Sequence, residues 1–191
     1  FGRALDKLYK ADRASLMTRL VTGVVKEFDL TLDRIHNDST TIKACGTYPG
    51  KTETGFELKK GHSKDHRPDL KQLVYGLSIC SDGAVPVHQK TYPGNRPDDT
   101  THIETWDTLC SIQSDPGFLY VADCKLCTDE QLSYIVGKQG RAITIIPETW
   151  KEIKTFKDAL RKSHKAKKEI WRRHKPGSDT ETEYFSAFTG S

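Results

Sequence analysis

Apolar residues in the first 28 positions recur at helical intervals, at Leu5, Leu8, Leu16, Leu20, Val24 and Phe28, with a polar break near Lys10 to Asp12. That spacing predicts two short amphipathic helices. From Leu32 to Ala44 the pattern turns to β-branched residues, Ile35, Thr40, Thr41 and Ile42, around an unusually polar centre, His36-Asn37-Asp38-Ser39-Thr40. A strand of that kind needs something that rewards its polarity. Residues 45 to 71 are rich in Gly, Lys and Asp and read as a long excursion. Leu73 to Cys80 and Val85 to Tyr92 are strand-like and flank Ser81-Asp82-Gly83-Ala84. Asp-Gly there supplies the positive φ angles of a hairpin turn.

The second half alternates periods. A helix is expected from Asp98, whose carboxylate caps free amides, through Ile103, Trp106, Leu109 and Cys110. Phe118 to Ala122 is an unbroken apolar run ending in Asp123, which suits a strand buried in parallel pairing. Thr128 to Val136 is a short helix, Ala142 to Ile146 a second buried strand, and Trp150 to Arg173 a charged helix stopped by Pro176-Gly177. Strand, hairpin, helix, strand, helix, strand gives an α/β architecture, a mixed sheet flanked by helices. Three regions follow: a helical segment over 1–30, a core over 31–148, and a basic helix followed by a disordered tail over 149–191.

Charge changes this picture. The net charge of +4 conceals eleven Lys/Arg against three Asp/Glu between Lys151 and Lys175, a local +8 that leaves −4 for the rest. Such a block suits phosphate contact, and equally a solvated helix. No apolar run approaches the ~20 residues of a membrane helix, and no signal-peptide pattern opens the chain. The five cysteines, Cys45, Cys80, Cys110, Cys124 and Cys127, are odd in number and irregularly spaced, the pattern of reduced thiols in the cytoplasm. Both raw ends suggest a fragment.

Two acids carry the candidate chemistry. Asp123 stands at the carboxyl end of a buried strand, where open α/β sheets present their sites. Asp38 lies inside its polar strand and poses the same question of compensation. A divalent cation shared by both would offset the cost of placing charge there, and oxygen ligands favour Mg²⁺ or Mn²⁺ over zinc. Simple capping roles explain the same residues, and spacing alone leaves both readings open.

The series Arg34-Ile35-His36-Asn37-Asp38-Ser39-Thr40-Thr41, then Gly61-His62-Ser63-Lys64-Asp65-His66-Arg67-Pro68-Asp69-Leu70-Lys71-Gln72, then Pro93-Gly94-Asn95, then Val121-Ala122-Asp123 resembles the DDE transposases of the insertion-sequence four group. The likeness extends to the opening Gly2-Arg3-Ala4-Leu5-Asp6-Lys7-Leu8-Tyr9. It implies an RNase H-like fold with a mixed five-stranded sheet, N-terminal helices, and a basic helical insertion beginning after the fifth strand. It implies three acids holding two Mg²⁺ (or Mn²⁺) ions, with Asp38 the first, Asp123 the second, and their strands parallel neighbours. The third, a glutamate on a later helix, matches nothing here: Glu148 and Glu152 come too early, and Glu181 and Glu183 lack the motif.

The implied activity is metal-dependent cleavage at transposon ends and strand transfer into target DNA, by a homodimer when full length, with this fragment inactive alone. The candidate DNA contacts are Lys64, Arg67, Arg161, Lys165, Lys168 and Arg172; Lys59, Lys60, Lys64 and Arg67 suit tracking of a DNA backbone, and a solvated polar loop at least as well. A metal-dependent nuclease without strand transfer and a non-catalytic DNA-binding remnant are the competing readings. Cys124-Lys125-Leu126-Cys127 has zinc or redox spacing but is only half a zinc site; His62 and His66 would complete it, and the same histidines equally suit contacts to loops or DNA phosphate. Against the family's Arg-Gly after the second acid, this chain has Cys124-Lys125. Gly94-Asn95 reads as a turn feeding the following helix.

Overall fold

The structure, a computed structural model, describes residues 1–48, 50, 57–61, 67–162, 168–174 and 182–187. The chain divides into two compact units, Phe1–Ile146 and Pro147–Ser191.

In the first unit the expected helix pair is present as α1 (Gly2–Lys10) and α2 (Arg13–Glu27). The break between them is a cap: the Asp12 carboxylate accepts from the Ser15 amide at 3.2 Å and from its hydroxyl at 2.6 Å, which serves an amide with no helical partner. Helix α1 buries no residue, whereas α2 places Val21 in the core. The sheet follows as β1 (Arg34–Ala44), β2 (Lys71–Cys80) and β3 (Pro86–Pro93). The β2–β3 turn opens with positive φ at Gly83 and Ala84 and not at Asp82, whose carboxylate accepts from the Thr31 amide at 3.0 Å.

A 3-10 turn over Asp98–Thr100 delays the next helix, so α3 spans His102–Gln113 and starts later than Asp98. It ends at Ser114, in the left-handed region at φ 58°. Then come β4 (Leu119–Val121), α4 (Asp129–Gly137) and β5 (Arg141–Ile143). Thr128 caps α4, its hydroxyl accepting from the Gln131 amide at 3.3 Å.

The sheet has the order β3-β2-β1-β4-β5. Strands β1, β2 and β3 form an antiparallel meander, while β4 and β5 run parallel to β1. This is an α/β architecture with a mixed five-stranded sheet, as the motif resemblance implied, and its first and fourth strands lie side by side. Its core face carries Ile35, Cys80 and Tyr120, all 0% exposed, beneath Trp106 and Leu109 of α3 and Ile135 of α4. Trp106 stacks on Phe118 at 6.3 Å, Tyr134 meets Trp106 edge-on at 6.2 Å, and Phe118 meets Tyr120 edge-on at 6.4 Å. Burying each such ring contributes about 2–3 kcal/mol, so this aromatic group anchors α3 and α4 to the sheet.

Strand β5 departs from expectation. It is short, and the stretch read as buried leaves Ile143, Ile145 and Ile146 exposed, because β5 is the edge of the sheet with a partner on one side only. In the second unit the charged helix is shorter than its sequence pattern, as α5 covers Lys151–Lys162. Lys168–His174 is instead a strand, β6, paired antiparallel with β7 (Thr182–Ala187) where a disordered tail was expected. The aromatic and β-branched pairs Ile170-Trp171 and Tyr184-Phe185 favour a ladder over a helix there.

Candidate metal centre and its surroundings

Alternation along β1 decides which side chains leave the core. Ile35 and Asn37 are buried; His36 and Asp38 are exposed on the opposite face. The polarity of the strand is rewarded from β2. Directly opposite Asn37, the hydroxyl of fully buried Ser78 donates to Asn37 Oδ1 at 2.9 Å, and His36 Nε2 bonds Ser81 Oγ at 2.9 Å. A one-residue slip would turn Asn37 outward and drive Asp38 into the apolar core, so the Asn37–Ser78 pair fixes the register that exposes the acid.

Strands β1 and β4 pair as Arg34↔Leu119, Ile35↔Tyr120 and His36↔Val121. The last pair lies two residues before Asp38 and Asp123, and the same register carried on by two places would set these acids opposite each other on the face that bears His36 and Val121. The strand path persists that far: the Ala122 amide bonds the Ile143 carbonyl at 3.1 Å, and Asp123 itself is extended, with φ −70° and ψ −173°. Both acids are exposed, and neighbouring strands lie about 4.8 Å apart.

Each carboxylate is oriented by an adjacent amide. The Ser39 N–H donates to Asp38 Oδ1 at 2.7 Å, and the Lys125 N–H to Asp123 Oδ1 at 2.9 Å. The second bond caps the 3-10 turn Cys124–Leu126, so the capping reading of Asp123 holds alongside any other role. Thr144, immediately after β5, ties the same turn to that strand, its hydroxyl donating to the Asp123 carbonyl at 2.5 Å. A carboxylate has about four lone-pair sites, so one amide leaves room for a cation. Two hard oxygen donors side by side fit a hydrated divalent ion such as Mg²⁺. Among the described residues no group of three His, Cys, Asp or Glu converges. Glu148 lies in the second unit and pairs with Lys157 at 2.7 Å. Glu183 lies on β7, and Glu181 falls outside the described residues.

Beneath Asp123, on the core face, Tyr120 hydrogen-bonds His102 Nδ1 at 3.1 Å. Burial, with smaller contributions from Tyr92 and Asp123, pushes the Tyr120 hydroxyl far above its ordinary pKa and keeps it neutral. Nothing in the sequence pattern singled out this pair, because a tyrosine within an apolar run reads as core.

The Gly61–Gln72 block turns out to be joined to the Pro93-Gly94-Asn95 motif. Lys59 and Gln72 bridge as antiparallel partners, with amide-to-carbonyl distances of 3.3 and 2.9 Å, and the buried Gln72 side-chain amide donates to the Gly94 carbonyl at 3.0 Å. A Cβ on Gly94 would meet the Gln72 carbonyl at 2.2 Å and that of Lys59 at 2.4 Å; one on Gly61 would meet the Gly94 carbonyl at 1.8 Å. Gly94 is therefore more than a turn residue, since only glycine fits where three backbones meet.

The remaining candidates are scattered. Arg67 makes a two-pronged pair with Asp69 at 2.8 and 2.7 Å, and this hydrogen bonding holds the Asp69 carboxyl down to about 2. Arg161 is exposed on α5 beside Asp158 at 3.4 Å; Lys168 and Arg172 lie on β6. Lys64, Lys165, His62 and His66 fall outside the described residues. Cys127 is buried and Cys124 half-buried, and burial pushes the Cys127 thiol up, away from the reactive thiolate. No described helix is long and apolar enough to cross a membrane.

No protein-family model matches the chain, and no curated protein matches its sequence. Solved structures are similar to it only at low identity and low TM-score. A Mos1 transposase paired-end complex with the left transposon end has a TM-score of 0.38 and 7% identity over 75% of this chain and 52% of that one. The catalytic domain of Mos1 mariner transposase gives 0.35 and 6% over 80% and 72%. Ciona intestinalis endonuclease V, bound to inosine-containing DNA, gives 0.30 and 10% over 84% and 72%. The chain thus spans about half the length of the Mos1 transposase in that paired-end complex.

Proposed function

We propose that this chain contains the core of a metal-dependent phosphoryl-transfer enzyme acting on DNA, a DDE transposase of the insertion-sequence four-like group. The observation that supports the reading is the parallel pairing of β1 with β4 as far as His36↔Val121, two residues before each of the acids of two separate motifs, Asp38 and Asp123. Arbitrary acidic residues 85 positions apart have no reason to align in this way.

In this reading Asp38 and Asp123 are the residues that would hold Mg²⁺ or Mn²⁺. A divalent cation bound there supplies Lewis-acid activation of the attacking oxygen and charge stabilisation at the leaving oxygen of an in-line displacement. The Ser39 and Lys125 amides keep the two carboxylates in fixed orientations. The Asn37–Ser78 bond prevents β1 from slipping. The proposed substrates are transposon-end and target DNA, and a second copy of the chain is the expected partner in a full-length protein.

Two measurements test this. In Mn²⁺ titrations followed by NMR, the Ser39 and Lys125 amide signals should broaden first, and Asp38→Asn or Asp123→Asn should abolish that effect; broadening that survives both substitutions refutes the site. In a longer form carrying a third acid, either substitution should reduce Mg²⁺-dependent end cleavage by at least about 10³-fold, the scale of losing a principal catalytic group. Joined products from a pre-cut 3′ end distinguish a transposase from a nuclease. The absence of a third converging acid among the described residues favours one further reading, a DNA-binding protein that does not cut; cleavage by the chain itself would exclude it.

A further inference from the structure

The junction of Gly61, Gln72 and Gly94 fixes the backbone on both sides of one residue, Lys60. On its amino side, Lys59 is held by two backbone hydrogen bonds to Gln72. On its carboxyl side, Gly61 lies against the Gly94 carbonyl, closer than any Cβ allows, and the buried Gln72 amide holds that same carbonyl. The other lysines at this end of the sheet are engaged: Lys59 pairs with Glu57 at 3.7 Å, Lys71 donates to the Tyr48 carbonyl at 2.7 Å, and Lys43 has a partner of its own. Lys60 is exposed, and among the described residues its ammonium makes no hydrogen bond or ion pair; Asp69 feels its charge at a distance. A solvated lysine needs no such mounting. A lysine meant to meet a fixed charge gains from one, because preorganisation lowers the entropy lost on contact.

Its place in the sheet indicates which charge. Gln72 pairs with Lys43, five residues beyond Asp38 along β1, and Lys59 lies one strand further across. At ~3.3 Å per residue and ~4.8 Å per strand, Lys60 stands about 20 Å from the acids. Along a B-form duplex the phosphates of one strand rise by ~3.4 Å per base pair along the helix axis, so that gap corresponds to about six base-pair steps. Building on the phosphoryl-transfer reading above, we infer that Lys60 is a DNA-backbone contact about six base pairs along the duplex from the reacting phosphate, and that Gln72 is the positioning residue that holds it there.

The test is a double-mutant cycle on the full chain, binding a labelled 30-base-pair duplex by fluorescence anisotropy over a series of NaCl concentrations. Lys60→Ala should weaken binding roughly fivefold to tenfold at 0.1 M salt and lower the salt slope by about one. Gln72→Met, which keeps the volume and removes the amide, should cause much of the same loss, and in its background Lys60→Ala should then have little further effect. Should Gln72→Met fail to fold, Gly61→Ala disturbs the same junction from the opposite side and takes its place in the cycle. An unchanged slope in Lys60→Ala, or a Lys60→Ala loss of full size when the junction is disturbed, overturns this inference and leaves the metal centre standing. Absence of any duplex binding overturns both.

Discussion

Ser78 explains a feature that the sequence of β1 poses and cannot answer. A His-Asn-Asp-Ser-Thr run is a poor strand by composition, and the residue that makes it tolerable lies 41 positions away. Local pattern made the acid at 38 legible, together with the abrupt end of the apolar run at 123. It could not reveal the buried Asn37–Ser78 bond, since a serine in an apolar strand carries no mark of its partner. Removing the donor leaves the Asn37 oxygen buried and unserved, so Ser78→Ala should destabilise the fold by about 1–3 kcal/mol, read as a lower urea midpoint at unchanged slope. A loss below ~0.5 kcal/mol would show that the register is held elsewhere. Arg67, a candidate phosphate contact, makes a two-pronged pair with Asp69. In Arg67→Ala the Asp69 carboxyl should return from about 2 to the usual range near 4, observable by carboxyl NMR titration.

Elements were legible where their signal is local. The capped helix pair, the hairpin strands and α4 all announce themselves through periodicity and turn residues within a dozen positions. The failures share a cause, which is that tertiary position overrides pattern. Strand β5 has the apolar content of a buried strand but lies at the sheet edge, and Lys168–His174, within a stretch expected to be largely helical, pairs as β6 with β7. Gly94 shows the same limit at an element boundary: β2 exchanges β3 for Lys59 beside it, and no pattern predicts three backbones at one point. Gly94→Ala should therefore cost about 1–3 kcal/mol, the range for overpacking. Gly76→Ala is the control, because its Cβ would meet nothing closer than 3.7 Å, and it should be neutral or slightly stabilising. Equal effects from the two substitutions in thermal melts would remove the case for the junction.

The whole molecule adds what neither scale contains, a pH dependence of one sign. Asp69 and His88 are both held below their ordinary pKa values, the first by its hydrogen bond to Arg67 and the second by burial, with Lys90 adding to it. A group whose folded pKa is depressed contributes stability that is present above its unfolded pKa and lost as pH falls towards the folded value. For His88 the loss begins as pH drops below about 6.5, because the unfolded chain takes up a proton that the folded site resists. For Asp69 it begins below about 4 and continues to about 2. Stability should thus fall in two steps on acidification, the upper belonging to His88. That residue sits on β3 opposite Ser78, so it lies in one row with the bond that sets the register of Asp38. Chemical denaturation at pH 7.0, 6.0 and 5.0 should show the upper step in the native chain, and His88→Gln should flatten it while sparing the lower one. A His88→Gln variant with the same decline between pH 7.0 and 5.0 would place that step in another group.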